Sequence, residues 1–319
     1  MQIVVLGAGA LGSIIAALLT RSGEDVVLLA RGARAEFLQE SGVTISGLVE
    51  DNVAVAIATD PAELRAAELL VVTPKTYDTE TALTPLNPEL FDTVLSVQNG
   101  VVKNDQLVSH FGAERTIGCI ATISGEVLAD GSVTFTQNQA FHLGELPSGV
   151  TPRVDRLVDC FKQAGIAALP NTSIHNGEWS KFIAWQPLMA LSVITRLTTG
   201  KICADSHSAM FAISMIREIA AIAQAIGVEV GDGGPLPAAS IIAGSDQQAL
   251  TMLTNMGERL LKSAPNHRMS ALQDLERGKR LEVDQTLGYL VDLAQKLNVE
   301  ISVVRQAWQL VKSIDRFNH

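Results

Sequence analysis

The sequence has few cysteines, few aromatic residues and no dense run of basic charge. Its three cysteines, Cys119, Cys160 and Cys203, are far apart and lack metal-type spacing, so we expect buried free thiols and no metal site. Only 4% of the residues are aromatic, and 34 acidic against 24 basic residues give a net charge of −10. Because the basic residues form no stripe, a nucleic-acid or anionic-membrane partner is not expected.

Long hydrophobic runs are also missing. No apolar run approaches the length of about 20 residues that spans a bilayer, and no positively charged leader precedes the first predicted strand, which begins at residue 2. We therefore expect a cytoplasmic protein without a membrane segment. Apolar residues nonetheless make up 47% of the 319-residue chain, which is enough for the cores of two domains.

The first twelve residues carry the most informative motif. A short apolar run leads directly into Gly7-x-Gly9-x-x-Gly12 and then into an apolar helical stretch. In a strand, turn and helix, Gly7 permits the turn, Gly9 lets the backbone approach a pyrophosphate, and Gly12 lets the helix pack on the strand. The helix N-terminus, at Ala10 and Leu11, offers free N–H groups to the phosphates. The motif predicts a dinucleotide site; the alternative is a tight turn that binds nothing.

The end of the second predicted strand, 25–30, indicates which dinucleotide binds. An NAD site usually has Asp or Glu about 20 residues past the glycines, where the carboxylate accepts hydrogen bonds from the ribose. Here Arg31 and Arg34 follow the strand instead. A guanidinium pairs with a 2′-phosphate that a carboxylate would repel, so we expect NADP(H), with Arg31 as a contact. The alternative is that both arginines are solvated loop charges.

Apolar runs and turn signals continue an α/β pattern through the first half of the chain. The pattern predicts a Rossmann-type, doubly wound parallel sheet with its ligand crevice at the carboxyl ends of the strands. An antiparallel extension is expected over 123–143, and the NADP-binding domain over 1–170. Further predicted elements are strands near 69–73, 93–97 and 115–120, and a helix over 151–164.

Helical periodicity replaces strand-like alternation after residue 170, so we expect an all-α C-terminal domain over 171–319. Residues discussed below lead us to expect catalytic and dimerisation roles for this domain. Helix breakers include the glycine-rich run 231–235. Two helices, the Ala-rich 206–226 and the Leu- and Met-containing 249–261, are apolar enough to suggest a homodimer. The predicted helices span 174–195, 206–226, 247–261, 281–297 and 302–316.

Two polar segments follow predicted strands of the first domain. Lys75 follows the third strand, where it is placed to meet the phosphates or ribose of the cofactor. Asn99 follows the fourth strand and is succeeded by Gly100, so its amide can turn toward the nicotinamide end. An ordinary turn explains Asn99-Gly100 equally well.

Lys181 lies among apolar residues, between Trp179 and Phe182, in the first helix of the second domain. An apolar environment disfavours the charged ammonium, which would bring its pKa toward the range of a general acid. The alternative is a lysine that snorkels from an amphipathic helix. His175 and His267 are weaker candidates for the same role, because isolated histidines are more often ordinary surface or core residues.

Seven short motifs in this order resemble those of the ketopantoate reductase (2-dehydropantoate 2-reductase) family over essentially the whole chain. The resemblance implies NADPH-dependent reduction of a 2-oxo acid to a 2-hydroxy acid by hydride transfer. The motifs are Gly7-x-Gly9-x-x-Gly12, Arg31, Val72-Thr-x-Lys75, Gln98-Asn99-Gly100, Trp179-x-Lys181, and Ser270-Ala-Leu-Gln-Asp274 to Glu282-Val-Asp284.

The resemblance also implies a role for each matching residue. For Glu282 the alternative is a solvated helix charge that pairs along its own helix. The implied roles are the general acid for Lys181, the catalytic carboxylate for Glu282, contact with the nicotinamide end and the substrate for Asn99, cofactor contacts for Arg31 and Lys75, and a substrate-binding hydroxyl for Ser270.

Trp185 and Met189 depart from the family pattern. Members that reduce ketopantoate usually have asparagines four and eight residues after the lysine, on the same helix face. Trp185 and Met189 keep the geometry and lose the hydrogen-bonding groups, so a bulkier or more apolar 2-oxo acid than ketopantoate becomes a candidate substrate. Alternative functions are a related hydroxy-acid or opine-type dehydrogenase, or a non-catalytic NADP(H)-binding redox sensor.

Overall fold

The structure, a computed structural model, describes residues 1–232 and 236–318. It divides the chain into two compact units, of which the first comprises Met1–Asn99 and Lys103–His175. The second comprises Gly100–Val102 and Asn176–His319. Each unit has its own buried apolar core. Of the predicted helix-breaking run 231–235, positions 233–235 lie outside the described residues.

A five-stranded parallel sheet forms the centre of the first unit, in the order β5-β2-β1-β6-β7. The chain winds from β1 to one side of the sheet and then returns to the other, so the topological switch point lies between β1 and β6. The predicted Rossmann-type, doubly wound sheet is confirmed. Its strands are β1 (Gln2–Leu6), β2 (Asp25–Leu29), β5 (Ala56–Ala58), β6 (Ala67–Val72) and β7 (Phe91–Ser96).

A second, mixed sheet belongs to the same unit. Its longest strands form an antiparallel hairpin, where the sequence predicted short strands over 123–143. The expected strand near 115–120 begins this hairpin and also adjoins the parallel sheet through one parallel bridge between Val94 and Thr116. The strands are β3 (Val43–Gly47), β4 (Asp51–Val53), β8 (Ile117–Val127), β9 (Val133–Glu145) and β10 (Ala168–Pro170).

Helix α1 packs against strands of both sheets, which is why residues 12–19 are all buried. A second apolar cluster covers the other face of the parallel sheet and includes Phe91, Leu107 and Phe111. Helices on both faces leave its central strands almost entirely apolar. The helices are α1 (Ala10–Arg21), α2 (Gly32–Ser41), α3 (Thr79–Leu83), α4 (Val102–Phe111) and α5 (Pro152–Gln163), with 3₁₀ turns at Pro61–Glu63, Thr76–Asp78 and Pro88–Leu90.

Every regular element in the described part of the second unit is helical, which confirms the all-α expectation. The short helices α7, α9 and α11 were not predicted, because six or seven residues give too few turns for a periodic pattern. The elements are α6 (Ile174–Thr195), α7 (Thr199–Ala204), α8 (Ser206–Ala225), α9 (Ala238–Ala243), α10 (Asp246–Ser263), α11 (Ser270–Glu276), a π-helical turn (Asp284–Gly288), α12 (Tyr289–Leu297) and α13 (Ser302–Arg316).

Helix α8 is the one helix in the described residues that is long and apolar enough, by length and composition, to cross a membrane. Half of its apolar window is buried within the protein, and its buried residues belong to the core of the second unit. The core helix of a globular domain has the same composition. The predicted homodimer stays a prediction, since α8 and α10 place apolar residues in their own unit's core.

Candidate functional site

The three glycines form the predicted turn between β1 and α1. Gly7 has φ +98° and donates its N–H to the Leu29 carbonyl at 3.0 Å. A Cβ on Gly12 would lie 1.9 Å from the Gly7 carbonyl oxygen, so this position admits no side chain without a backbone shift. A Cβ on Gly9 would meet no protein atom within 4 Å. Two glycines therefore serve the turn itself, and the third leaves open space beside the helix N-terminus.

The open space fits a phosphate group. Gly9 is the N-cap of α1 and makes no side-chain cap hydrogen bond, and no acidic residue lies in the first turn of the helix. The first N–H groups of an α-helix have no intrahelical partner, and the helix dipole places partial positive charge there. The N–H groups at Ala10 and Leu11 thus suit the pyrophosphate of a dinucleotide.

Thr73, the residue after β6, fastens the turn from the neighbouring strand. Its hydroxyl lies 2.8 Å from the carbonyl oxygens of both Leu6 and Gly7, and its backbone N–H also donates to the Leu6 carbonyl. These bonds tie the carboxyl ends of β1 and β6 together at the switch point. This role of Thr73 was not predicted, although its position directly after a strand was an available signal.

Arg34 forms hydrogen bonds with the turn, whereas Arg31 is exposed. The Arg34 guanidinium donates to the Ala8 carbonyl at 3.1 Å, to the Ser13 hydroxyl at 3.2 Å and to the Gly131 carbonyl. Its partial burial lowers the pKa of Arg34. The interpretation of Arg34 as a solvated loop charge was therefore wrong. Arg31, at the N-cap of α2 directly after β2 and Ala30, keeps its side chain in solvent.

Gln98 links the ends of β6 and β7. Its side-chain amide donates to the Pro74 carbonyl at 2.6 Å and to the Thr79 hydroxyl at 2.7 Å, while its carbonyl oxygen accepts from Ser96 at 2.8 Å. With 9% of its surface exposed, Gln98 is a fixed support for the residue that follows it. Gln98 belongs to one of the motifs in the sequence, but this role was not predicted, because Pro74 and Thr79 are distant from it in the chain.

The two polar residues predicted at this edge are accessible. Asn99 is exposed and Lys75 is half-buried at the N-cap of the turn Thr76–Asp78. Gly100 has φ +91°, a backbone conformation that favours glycine, so Asn99-Gly100 does form a turn. Because Gly7, Lys75 and Asn99 follow the adjacent strands β1, β6 and β7, they share the carboxyl edge of one sheet.

Lys103 is a buried lysine behind this edge. Only 2% of its surface is exposed, and its ammonium donates to the Ser96 carbonyl at 2.9 Å and to the Cys119 carbonyl. It thereby holds the end of β7 against β8. A lysine in the first turn of a helix would ordinarily be predicted to face solvent, so the sequence offered no signal for this role.

In the second unit, one face of α6 carries three of the predicted residues. Lys181, Trp185 and Met189 are partly exposed, whereas all six residues between them are buried. A spacing of four residues places the three side chains on one side of a helix. Trp185 and Met189 also pack against the apolar core of the unit, so each has one anchored and one accessible side. We call Lys181, Trp185 and Met189 the α6 stripe.

Two further predicted residues flank short helical elements of the second unit. Ser270 is exposed as the first residue of α11, and Glu282 is half-buried just before the π-helical turn. The Thr286 hydroxyl donates to the Glu282 carbonyl at 2.7 Å, and the Gly288 N–H donates to the Val283 carbonyl at 2.9 Å across the widened turn. Such π-turns occur frequently at functional sites.

The two histidine candidates differ in their surroundings. His267 Nδ1 lies 2.9 Å from the Thr199 hydroxyl, and the Thr199 N–H donates to the His267 carbonyl at 3.0 Å. Burial lowers the pKa of His267, so its neutral form is favoured. His267 thus fastens α7 to the segment before α11. His175 is half-buried in the first turn of α6.

The cysteines are free and buried, as predicted. Burial raises the pKa of the Cys203 thiol to about 12, which removes it from reactive chemistry near neutral pH. Within residues 1–232 and 236–318, no group of three or more His, Cys, Asp or Glu side chains is placed to hold a metal ion.

Comparison with known proteins agrees with these features. The family model "Ketopantoate reductase PanE/ApbA" matches residues 3–148, and the model of the C-terminal domain of that family matches residues 173–315. A 2-dehydropantoate 2-reductase of Mesorhizobium japonicum is 31% identical over 92% of this chain and 93% of its own length.

Solved structures share the architecture. A PanE/ApbA family ketopantoate reductase from Ralstonia eutropha JMP134 superimposes with a TM-score of 0.83 at 25% identity, covering 100% of this chain and 99% of its own. A D-mandelate dehydrogenase in ternary complex with NADH and anilino(oxo)acetate gives a TM-score of 0.84 at 18% identity, covering 100% of this chain and 99% of its own. At that lower identity the likeness concerns the fold alone.

Proposed function

The chain belongs to the ketopantoate reductase family, a family of oxidoreductases that act on CH–OH groups, and we propose that it uses NADPH to reduce a 2-oxo acid to the 2-hydroxy acid. The observation that carries this proposal is the glycine turn at the switch point of the parallel sheet. It combines a tight turn at Gly7 and Gly12 with open space at Gly9, which is the arrangement that a bound pyrophosphate requires.

The preference for NADPH rests on Arg31. This exposed guanidinium directly follows β2, in the region where an NAD site presents a carboxylate to the ribose. A 2′-phosphate forms charge-assisted hydrogen bonds with a guanidinium, and Arg31 has its side chain in solvent to make them. Arg34 does not serve this purpose, because each of its three guanidinium nitrogens already donates a hydrogen bond, to Ala8, Ser13 or Gly131.

Lys181 acts as the general acid. When bound, the reduced nicotinamide supplies the hydride to the carbonyl carbon of the substrate. The Lys181 ammonium stabilises the negative charge that develops on the carbonyl oxygen and donates the proton that completes the alcohol. Its place on the accessible side of an otherwise buried helix segment makes the proton available while neighbouring apolar residues limit water.

Three other side chains orient the reactants. Asn99 uses its amide to contact the nicotinamide end and the substrate, since an amide offers both a donor and an acceptor. Ser270, exposed at the start of α11, donates to the substrate carboxylate. Glu282 orients Lys181 or accepts from the hydroxyl formed at the reduced carbonyl, and the turn that follows holds its backbone in place.

Replacement of Lys181 by alanine tests the proposal. We expect turnover with 2-oxo acids to fall about 100-fold to 10,000-fold, the usual contribution of a positioned acid, while the NADPH dissociation constant stays within about twofold. Lys296→Ala, at an exposed lysine of α12, is the matched control and should leave both quantities unchanged. Equal turnover in Lys181→Ala and the wild type would remove Lys181 from the mechanism.

A further inference from the structure

We propose that Trp185 and Met189 select 2-oxo acids whose group beyond the carbonyl is apolar, aliphatic or aromatic, and carries no hydroxyl. This inference rests on the proposed function, because it takes Lys181 as the residue that meets the carbonyl oxygen. It assigns substrate selection to the remainder of the α6 stripe.

The geometry of an α-helix places Trp185 and Met189 within reach of the substrate. A rise of about 1.5 Å per residue puts them about 6 Å and 12 Å along the axis from Lys181, on the same face. A carbonyl at the Lys181 ammonium lies within hydrogen-bond distance, about 3 Å, of that atom. Substituents that extend along this face therefore meet the indole of Trp185 first and the thioether of Met189 next.

The anchoring of both side chains makes this surface a fixed one. Each packs on the core of the second unit with one side and remains accessible with the other. Buried neighbours on both flanks, such as Ala184 and Leu188, prevent the helix from rotating to present other residues. An indole face and a thioether gain dispersion contacts with apolar or aromatic groups.

The same surface is unfavourable for a hydroxyl. The indole of Trp185 offers one N–H donor, and the thioether of Met189 is a weak acceptor, so neither replaces the hydrogen bonds that a substrate hydroxyl makes with water. A polar group that is desolvated without a partner weakens binding. The stripe thus favours the hydroxyl-free member of any matched pair of substrates.

One matched pair tests the inference directly. 4-Hydroxy-3,3-dimethyl-2-oxobutanoate, which is ketopantoate, differs from 3,3-dimethyl-2-oxobutanoate by a single hydroxyl. We expect the wild-type protein with NADPH to show a kcat/KM at least about tenfold higher for the hydroxyl-free acid. A kcat/KM that is equal for the two acids, or higher for the hydroxylated one, would overturn the inference.

Variants of the stripe locate the cause. Trp185→Asn combined with Met189→Asn supplies two carboxamides, so we expect the preference to shift at least about tenfold toward the hydroxylated acid. Trp185→Phe combined with Met189→Leu keeps the surface apolar and should keep the wild-type preference. Met210→Asn, at a partly buried position on α8 against the same core, should also keep it. An unchanged ratio in the double asparagine variant contradicts the assignment.

Failure of this inference is distinguishable from failure of the proposed function. If NADPH is oxidised with ketopantoate in preference to its hydroxyl-free analogue, the reductase activity stands and the role of Trp185 and Met189 falls. If neither acid, nor phenylglyoxylate or 4-methyl-2-oxopentanoate, supports NADPH oxidation, both proposals fall. The wild-type measurement needs no variant, so a poorly folded mutant does not prevent the decision.

Discussion

The turn after β1 and the α6 stripe are two regions with opposite construction. The turn exposes backbone: three glycines and the first N–H groups of α1, with Thr73 and Arg34 hydrogen-bonded to the turn. The stripe presents side chains on a helix, α6. A site formed by backbone groups tolerates few residue types, so it can be predicted from the sequence. A side-chain site changes its ligand with each substitution while the helix stays the same.

Substitutions of the glycines are expected to have the largest effects on stability and NADPH binding. Gly12→Ala places a Cβ against the Gly7 carbonyl, so we expect the free energy of unfolding to fall by about 1–3 kcal/mol and NADPH binding to weaken at least about tenfold. Gly9→Ala meets no protein atom and should weaken NADPH binding while leaving stability within about 0.5 kcal/mol. Calorimetric titration and urea unfolding measure the two quantities.

Two outcomes with Gly9→Ala and Gly12→Ala would contradict these different roles of the glycines. If Gly9→Ala binds NADPH as tightly as the wild type, the open space beside it is not the pyrophosphate site. If both variants lose stability equally, the turn depends on all three glycines for its fold, and the distinction between them disappears.

Arg31 and Arg34 allow a contact with the cofactor to be separated experimentally from a contact that stabilises the fold. We expect Arg31→Ala to lower the ratio of kcat/KM for NADPH over NADH about tenfold with unchanged stability, because the lost partner is a phosphate. Arg34→Ala removes the hydrogen bonds that the guanidinium donates to the Ala8 and Gly131 carbonyls and should lower the free energy of unfolding by about 1–3 kcal/mol. Steady-state kinetics with both coenzymes and urea unfolding measure these quantities. A loss of stability in Arg31→Ala, or a loss of NADPH preference in Arg34→Ala, would contradict the assigned roles.

Lys103 tests whether the sheet edge depends on a buried cation. Lys103→Met keeps much of the side-chain volume and removes the donors to the Ser96 and Cys119 carbonyls, so we expect a loss of about 1–3 kcal/mol in the free energy of unfolding. Lys162→Met, at an exposed lysine of α5, is the control and should change stability by less than about 0.5 kcal/mol. Equal stabilities of these two variants would show that Lys103 contributes nothing to the edge.

The smallest expected effect is the dependence of the free energy of unfolding on pH. Burial lowers the pKa values of His142 and His267 below the ordinary value of 6.5, so the unfolded chain binds more protons than the folded protein as pH falls past that value. Stability is fully present above pH 6.5 and declines as the pH falls through the folded-state pKa values. Replacement of both residues by glutamine should flatten the slope of stability against pH in that range. A slope identical to that of the wild type would assign the decline to other groups.

The sequence predicted the glycine turn and the bounds of α6 because both depend on local rules: a short motif in one case and helical periodicity in the other. The supports of the site were not predictable. Arg34, Gln98 and Lys103 act through partners that are up to 97 residues away in the chain, and nothing in their immediate neighbours reveals those contacts.

The α6 stripe shows the same limit in another form. The positions of Lys181, Trp185 and Met189 on one helix side follow from their spacing. Their shared partial exposure does not, because α6 is apolar on most sides and periodicity alone leaves open which side meets solvent. The π-helical turn after Glu282 was predicted as ordinary helix, since it differs from one by a single hydrogen-bond shift.

The proposed activity needs a glycine turn that binds NADPH and an α6 stripe that presents an acid beside an apolar surface. Its most direct test is the rate of NADPH oxidation by the purified wild-type protein with 3,3-dimethyl-2-oxobutanoate, compared with Lys181→Ala under the same conditions. We expect steady oxidation by the wild type and a rate at least about 100-fold lower in the variant. Equal rates in the two proteins, or no oxidation by either, would contradict the proposed activity.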